Sequence, residues 1–144
     1  MSKPTSGAAP PFCHEIRVAW GDCDPARIAY TARIPAWALA AIDAWWAEVI
    51  GIDWYALNLD RGFGTPFVHM EMDFRAPVTP RHRLICEVRL LGLGRSSIRH
   101  QVVGRQDGTV RFGGRFVSAL VDAHAFRPCP PPEDLRARLQ AALG

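Results

Sequence analysis

Two carboxylates that lie two residues apart are the strongest candidates for chemistry in this sequence. Asp22 and Asp24 fall in the segment 20–30, between a predicted strand and the start of a long predicted helix. Backbone N–H groups at the start of a helix are unpaired and carry partial positive charge. A loop that enters a helix can therefore hold a carboxylate beside a donor for an oxyanion, and acyl transfer requires both groups.

The same residues also have an ordinary structural interpretation. Asp24 precedes Pro25, which is common turn chemistry, and an Asp near a helix start is a common cap. Residue types and spacing alone leave both interpretations open.

The segment 34–50 has the spacing of a helix, with apolar residues recurring three and four positions apart. These residues are Ile34, Trp37, Ala38, Ala41, Ile42, Trp45 and Val49. Alanine occupies much of the other face, so the helix is apolar almost all round and is expected to be buried. Gly51 is expected to end it as a C-cap.

Alternating apolar residues predict the strands of a sheet. In the segment 67–74 they mark a strand with one buried side, formed by Val68, Met70, Met72 and Phe74. His69 and Glu71 would lie on its opposite face, either in solvent or toward a ligand. The predicted strands span residues 12–20, 67–74, 83–91, 96–103 and 110–121.

The order of these elements predicts an α+β fold class. One strand, one buried helix and four consecutive strands joined by short turns favour an antiparallel sheet curled around the helix. Asp107–Gly108 is a hairpin signal, residues 53–66 are interpreted as a connection, and residues 133–143 as a short helix. The domain spans residues 12–144 and follows a flexible segment, 1–11. Pairing of two sheets would cover their edges, so we expect at least a homodimer.

Composition excludes several classes of function. Lys and Arg total 17 against 14 Asp and Glu, and the arginines are scattered, which argues against nucleic-acid binding but suits a smaller phosphorylated ligand. The four cysteines match neither a zinc site nor a disulfide framework, which indicates reduced thiols. No segment approaches the roughly 20 apolar residues of a membrane helix, and the first residues carry no signal-peptide run. We therefore expect a cytoplasmic protein without a metal, a bound cofactor or a membrane partner.

The segment from Gly21 to Ala26, with Ile28 after it, resembles the signature of the 4-hydroxybenzoyl-CoA thioesterase family. The helix residue Trp37, the segment 61–66 and Phe74 also match. The likeness covers roughly residues 12–122 and is densest in 20–30 and 61–66. It implies the hot-dog fold, a long helix wrapped by an antiparallel sheet, which the periodicity predicts independently.

The resemblance also implies a reaction, the hydrolysis of acyl-CoA to a carboxylic acid and CoA. Asp24 would attack the thioester carbonyl or activate a water, and the sequence does not choose between these routes. The N–H group of Tyr30 or Thr31 would hold the carbonyl oxygen as it gains charge. Asp22 would brace the loop.

The same resemblance implies the substrate-binding residues and the assembly. Arg95, Ser96, Thr65 and Trp37 are expected to bind the substrate or its CoA part. Members of the family commonly form dimers of dimers, so a homo-oligomer is expected on this ground as well.

Some residues depart from the family pattern. Arg27 stands where Gly or Ala is usual, and it could contact ligand phosphate or point into solvent. Leu39 stands where the 4-hydroxybenzoyl enzyme presents an Asp to the phenol, which favours a benzoyl-like or other apolar acyl group.

Arg81 and His82 are expected to be solvated in a turn.

Two other functions compete with hydrolysis. A hydratase or dehydratase of this fold usually carries a catalytic His paired with an acid, and the predicted helix 34–50 contains no His. A non-catalytic acyl-CoA binding protein would bind the ligand and release no thiol.

Overall fold

An antiparallel sheet of five strands organises the computed structural model, which describes residues 9–144. In chain order the elements are β1 (Phe12–Ile16), α1 (Arg33–Trp45), α2 (Trp54–Leu59), β2 (Phe63–Gly64), β3 (Phe67–Phe74), β4 (Leu84–Leu93), β5 (Ser97–Gln106), β6 (Thr109–Ala119), β7 (Val121–Asp122), β8 (Arg127–Pro128) and α3 (Glu133–Ala141). The large sheet has the order β1-β4-β5-β6-β3, so β1 and β3 are its edges. The predicted α+β arrangement is confirmed. Most of the predicted flexible segment 1–11 lies outside the described residues.

The long helix packs on one face of this sheet. It continues beyond α1 as a wider turn, Trp46–Ile50, and Gly51 ends it with a φ of 88°, as predicted. Its buried residues are Ile34, Ala38, Ala41, Ile42 and Trp45. The opposite face, which includes Ala36 and Ala40, is exposed. The prediction of a helix buried all round is therefore wrong, because alanine suits either environment and the sheet covers one side only.

The core lies between α1 and the inner face of the sheet. Alternate residues of β4 are at most 2% exposed, as the period-2 pattern predicts: Leu84, Cys86, Val88 and Leu90. Phe112 and Phe116 of β6 are fully buried beside them. Gly104 makes room for one of these rings, because a Cβ atom at that position would collide with Phe112.

Two of the predicted boundaries are wrong. The first strand ends at Ile16 rather than at residue 20, and Trp20–Asp22 forms a single 3-10 turn. The predicted connection 53–66 contains α2, because the Asp53 side chain caps it by accepting from the N–H of Ala56 at 2.7 Å. In addition, β2, β7 and β8 form a small second sheet that the sequence pattern did not reveal.

The edge strand β3 differs most from its prediction. Its expected buried side includes Val68, Met70 and Phe74, which are 66%, 47% and 50% exposed. The pairing with β6 is irregular between Phe67 and His69. Phe67 and Met72 pack against the core, whereas Val68, Met70 and Phe74 remain exposed in the single chain. The single chain therefore carries an apolar strip along an edge whose backbone groups are free to pair.

Gln106 fixes the loop that precedes β4. Its side chain is 1% exposed. The side-chain oxygen accepts from the N–H of Thr79 at 2.9 Å, and the side-chain nitrogen donates to the carbonyls of Thr79 and His82 at 2.7 and 2.8 Å. A loop held by three bonds to one buried amide is rigid at these points.

We expect Gln106→Leu to lower the free energy of unfolding by about 1–3 kcal/mol, because it leaves backbone groups of the loop unpaired. Urea unfolding followed by circular dichroism measures this. Gln101→Leu is the matched control, since Gln101 lies on the same strand, is half-buried and makes no side-chain hydrogen bond within residues 9–144. An equal loss in both variants would contradict the role assigned to the loop bonds.

His100 is a fully buried imidazole in the apolar core. Its ring packs edge-on against Trp45, with 4.4 Å between the ring centroids. Neither ring nitrogen has a hydrogen-bond partner within the described part of the chain. Burial lowers the pKa of His100 from 6.5 to about 3, because the cation would lose its hydration.

This pKa predicts a loss of stability in acid. Between pH 6.5 and about 3 the unfolded chain binds a proton at His100 and the folded chain does not. The free energy of unfolding therefore falls as the pH is lowered through this window, by up to about 1.4 kcal/mol per pH unit from this residue. In His100→Leu the slope of stability against pH should be shallower between pH 6.5 and 5, as measured by urea unfolding. The exposed His124→Leu should keep the original slope, and a shared slope in all three proteins would overturn the assignment.

Candidate functional site

Asp22 is tied into the turn that precedes Asp24. One of its carboxylate oxygens accepts from the N–H of Ala19 at 2.9 Å, and the N–H of Asp22 donates back to the Ala19 carbonyl at 3.0 Å. Its other oxygen lies 3.7 Å from the Arg33 guanidinium. These contacts fit the bracing role expected of Asp22 and occupy both of its oxygens.

Asp24 begins a tight turn that returns the chain to α1. Its N–H donates to the carbonyl of Ile28 at 3.0 Å, and its own carbonyl accepts from the N–H of Arg27 at 2.9 Å. Arg27 has a φ of 68°, the left-handed region that favours glycine. Of the two residues usual here in the resembled family, Gly and Ala, only the Gly suits this backbone conformation without strain. Arg27 itself is exposed.

The carboxylate of Asp24 is half-buried and only partly engaged. Oδ1 accepts from the N–H of Ala26 at 2.8 Å, whereas Oδ2 has no donor within residues 9–144. Oδ1 is therefore the oxygen that fixes the side chain, and Oδ2 is available to a water or a substrate.

The two predicted oxyanion donors differ in the structure. The N–H of Tyr30 already donates to the carbonyl of Asp22 at 2.9 Å. The N–H groups of Thr31 and Ala32 have no acceptor within the described residues, and they directly precede α1. Thr31 is therefore the member of the predicted pair that can still bind an oxygen.

A mainly apolar cleft of about 300 Å³, here called the acyl cleft, opens beside this amide. Its walls include Ile28, Ala29, Thr31, Ile34, Phe74 and Val78. The N–H of Ala29 donates to the Val78 carbonyl at 2.8 Å, which joins the Asp24 loop to the loop before β4. Asp24 lies just before the lining begins at Ile28 and is not part of it.

Three of the predicted substrate-binding residues lie far from the acyl cleft of the same chain. The Pro66 carbonyl accepts from the N–H of Ala119, and the Ser96 carbonyl accepts from the N–H of Leu120 at 2.7 Å. Thr65, Arg95 and Ser96 are thus together at one end of the sheet. The ten residues of β4, about 33 Å of strand, separate Arg95 from the end that carries Asp24.

Trp37 is closer to the acyl cleft. It is half-buried and lies one helical turn after Ile34, which lines the cleft. Within one chain, Thr31 lines the acyl cleft, and Asp24 and Trp37 lie a few residues from its lining along the sequence. Thr65, Arg95 and Ser96 lie at the other end of the sheet.

Further cavities lie outside the predicted site, and one of about 290 Å³ is lined by His69, Glu71 and Arg99, among others. Two others are larger than the acyl cleft. The larger, about 590 Å³, is on the outer face of the sheet and is walled by charged residues such as Glu71, Asp73 and Arg115, so it suits an acyl chain poorly. The other, about 350 Å³, contains Arg81 and His82, which were expected to be solvated in a turn. This cavity was hard to predict from the sequence, because its cations come from two segments that are distant in the chain.

The described residues give no sign of a metal centre or of a disulfide. No three His, Cys, Asp or Glu side chains of residues 9–144 are grouped to hold a metal ion. All four cysteines are free, as their spacing predicts, and burial raises the pKa of the Cys86 thiol to about 12. None of the helices in the described range is long and apolar enough to cross a membrane.

Comparison with known proteins gives one family match and several structural neighbours. The thioesterase-like superfamily matches residues 18–139. A thioesterase superfamily structure from Jannaschia sp. CCS1 is 47% identical, covers 100% of this chain and 98% of that one, and has a TM-score of 0.89. No curated protein matches significantly.

Two more distant structures are similar over most of their length. A thioesterase from Thermus thermophilus, complexed with coenzyme A and Zn, is 26% identical, with 92% and 94% of the chains covered and a TM-score of 0.79. A 1,4-dihydroxy-2-naphthoyl-CoA thioesterase from Synechocystis is 17% identical over 90% and 95%, with a TM-score of 0.80, and this likeness shows the fold alone. The family match spans well over half of the sequence, and the long helix packs against a five-stranded antiparallel sheet. The chain belongs to the thioesterase-like superfamily and has the hot-dog fold.

Proposed function

We propose that this protein hydrolyses acyl-CoA thioesters, with Asp24 as the reacting carboxylate. The observation that carries the proposal is the juxtaposition of three features at the start of α1. They are a half-buried carboxylate with one free oxygen, an unpaired N–H at Thr31, and the apolar acyl cleft. Membership of the superfamily supports it, as does the coenzyme A bound to the Thermus thermophilus relative.

The chemistry needs few groups. Oδ2 of Asp24 either attacks the thioester carbonyl carbon or takes a proton from a water that attacks it. The carbonyl oxygen gains negative charge and accepts a hydrogen bond from the N–H of Thr31. The carbon–sulfur bond then breaks, and CoA leaves as a thiolate. When water is the nucleophile, this step releases the acid directly; when Asp24 is the nucleophile, it leaves an acyl–Asp24 anhydride, which a water then hydrolyses to the acid and the free carboxylate. A thiol pKa near 8.5 makes the thiolate a good leaving group, so no strong general acid is required.

The lining of the cleft supports an apolar acyl group. Ile28, Ile34 and Phe74 offer apolar contact, and Leu39 of α1 is half-buried against the core. An aromatic ring of the benzoyl type fits such walls better than a charged chain. The 4-hydroxybenzoyl group itself is less favoured, because Leu39 cannot accept a hydrogen bond from a phenol.

We further propose that the working site requires a second copy of the chain. The free edge of β3 carries the exposed Val68, Met70 and Phe74, and the acyl cleft lies at its Phe74 end. Antiparallel pairing of two β3 edges would place the Phe67 end of one copy beside the Phe74 end of the other. Thr65, Arg95 and Ser96 of one copy would then approach the acyl cleft of its neighbour. A cytoplasmic homodimer, or a dimer of dimers, is the corresponding prediction.

Asp24→Asn should lower kcat for acyl-CoA hydrolysis by about a hundredfold or more, because the amide is neither a base nor a nucleophile. The measurement is thiol release from a panel of aromatic, short and long acyl-CoA esters. Circular dichroism and sedimentation verify that fold and assembly are kept.

Asp22→Asn is the matched control, since it changes the same group two residues earlier. We expect a lower melting temperature and a much smaller change in kcat, because one Asp22 oxygen holds the turn and the other faces Arg33 of α1. Unchanged kcat in Asp24→Asn would refute the assigned role. Tight acyl-CoA binding without thiol release by the unmodified protein would favour a binding function instead.

Met70→Glu should dissociate the dimer and lower activity, because it places a charge in the apolar strip of β3. Sedimentation velocity and thiol release, measured on the same samples, test this. The control is Leu59→Glu, which charges a residue of α2 that is 62% exposed. An intact, active Met70→Glu dimer would show that β3 is not the interface.

A further inference from the structure

A cleft of about 590 Å³ lies on the outer face of the sheet, which is the face that turns away from α1. It is here called the outer cleft. Its lining combines two acidic residues, three arginines, two valines and Gly113, which come from β3, β5, β6 and the residue after β3. The volume falls within the roughly 300–1,000 Å³ that is typical of small-molecule sites.

Gly113 forms the floor of the outer cleft. It pairs with Asp73 of β3 on one side and with Val103 of β5 on the other. Residues that stand opposite each other in a ladder share one face of the sheet, so all three belong to the outer face. A Cβ atom at Gly113 would meet nothing within 4 Å. The missing side chain therefore leaves a hole between the longer side chains around it.

Charged side chains of both signs surround this floor, and most of them lack an ion pair. Within residues 9–144, no opposite charge lies within ion-pair distance of Asp73, Arg75 or Arg115. Glu71 stands directly opposite Arg115 in the ladder, yet its nearest charged partner is His69 at 3.9 Å. Both side chains of that contact are more than half exposed, so it is weak.

The third arginine of the lining is already engaged. Arg105 donates to the Glu87 carboxylate at 2.6 Å. The remaining groups are two guanidinium groups and two carboxylates. A ligand with one charge would be attracted by one pair and repelled by the other. The outer cleft therefore favours a small ligand that carries both charges.

An α-amino acid carries its two charges on one carbon atom. Its carboxylate can accept two parallel hydrogen bonds from a guanidinium group, and its ammonium group can donate to two carboxylates. Val103 and Val110 add apolar surface to the lining of the cleft, which favours an apolar side chain on the ligand.

The outer cleft remains open in the proposed dimer. Pairing of two β3 edges uses backbone groups in the plane of the sheet, whereas Glu71 and Asp73 lie on its outer face. Asp73 lines the outer cleft, and the next residue, Phe74, lines the acyl cleft. The two clefts thus lie on opposite faces of one strand.

We propose that the outer cleft binds a free α-amino acid with an apolar side chain. Arg75 and Arg115 bind its carboxylate. Glu71 and Asp73 bind its ammonium group. The apolar side chain lies over Gly113 and against the two valines. This site goes beyond the proposed hydrolysis, because its ligand carries no thioester and binds on the other face of the sheet.

Calorimetric titration with L-leucine and two analogues tests the assignment. Leucinamide lacks the carboxylate, and N-acetyl-leucine lacks the ammonium group. Each analogue is expected to bind the unmodified protein about tenfold more weakly than L-leucine, because it loses one set of charge-assisted hydrogen bonds.

Two variants separate the two charges of the ligand. Arg115→Gln should weaken the binding of L-leucine about tenfold and leave that of leucinamide unchanged, since leucinamide has no carboxylate. Asp73→Asn should weaken the binding of L-leucine about tenfold and leave that of N-acetyl-leucine unchanged. Arg99→Gln is the matched control and should change none of these, because Arg99 is an exposed arginine of β5 that does not line the outer cleft.

Gly113→Val tests the floor of the cleft. The added side chain should abolish the binding of L-leucine by filling the hole. The free space around a Cβ atom at this position predicts that the fold is kept, which circular dichroism verifies.

Three results would overturn the inference. The first is that the unmodified protein does not bind L-leucine, or binds it no better than both analogues. The second is leucine binding that survives Gly113→Val. The third is a larger assembly of the unmodified protein in sedimentation velocity that Gly113→Val breaks up, with no leucine binding in either protein, which would make the outer face a contact between copies. The titrations require no thiol release, so their result is independent of whether the protein hydrolyses acyl-CoA.

Discussion

One backbone hydrogen bond joins the two loops on which the candidate site depends. The N–H of Ala29 donates to the Val78 carbonyl, and this bond seats the Asp24 loop against the loop before β4. The same loop also packs on the core through Ala29, which is 5% exposed. The two loops that the bond joins carry different groups. The Asp24 side of the junction offers a carboxylate and an unpaired amide, whereas the other loop offers apolar contact at Val78 and cations beyond Pro80. Since Gln106 anchors that second loop, a single buried amide supports both halves of the site.

The edge strand β3 imposes the second constraint. A sheet that curls around one helix leaves its last strand unpaired, and in this chain that strand presents apolar side chains to solvent. Such an edge is a liability for a monomer, because it can pair with any other exposed edge. The same edge ends at Phe74, which is a wall of the acyl cleft. Covering the strip and completing the site are therefore one event in the proposed assembly. This would explain why a single chain encloses the acyl cleft only in part.

The elements with strong periodicity could be predicted from the sequence, and those that depend on long-range contacts could not. The spacing in α1 and the alternation in β4 are properties of short windows, and both were confirmed. The exposure of the outer face of α1 was missed, because alanine does not distinguish a buried face from an exposed one. The exposure of β3 was missed, because its apolar alternation is the same whether the partner is its own helix or another chain. The α2 helix was missed although Asp53 is a capping residue, because a helix of six residues is too short to show helical periodicity.

The candidate site shows the same division. The motif around Asp24 is local, so the sequence located the carboxylate and the nearby amides, and the structure added that only Thr31 of the predicted pair is unoccupied. The cavity of about 350 Å³ that contains Arg81 and His82 is not local, because two other residues of its lining, Arg17 and Arg83, are separated by the whole of α1 and β3 in the chain. Arginines that look scattered along a sequence can still converge in one cavity, and a small net charge does not exclude this. The left-handed conformation of Arg27 makes the complementary point. A residue that departs from a family pattern need not change the chemistry when the pattern reflects the backbone, since an exposed arginine can occupy a turn position that favours glycine at a modest cost in strain.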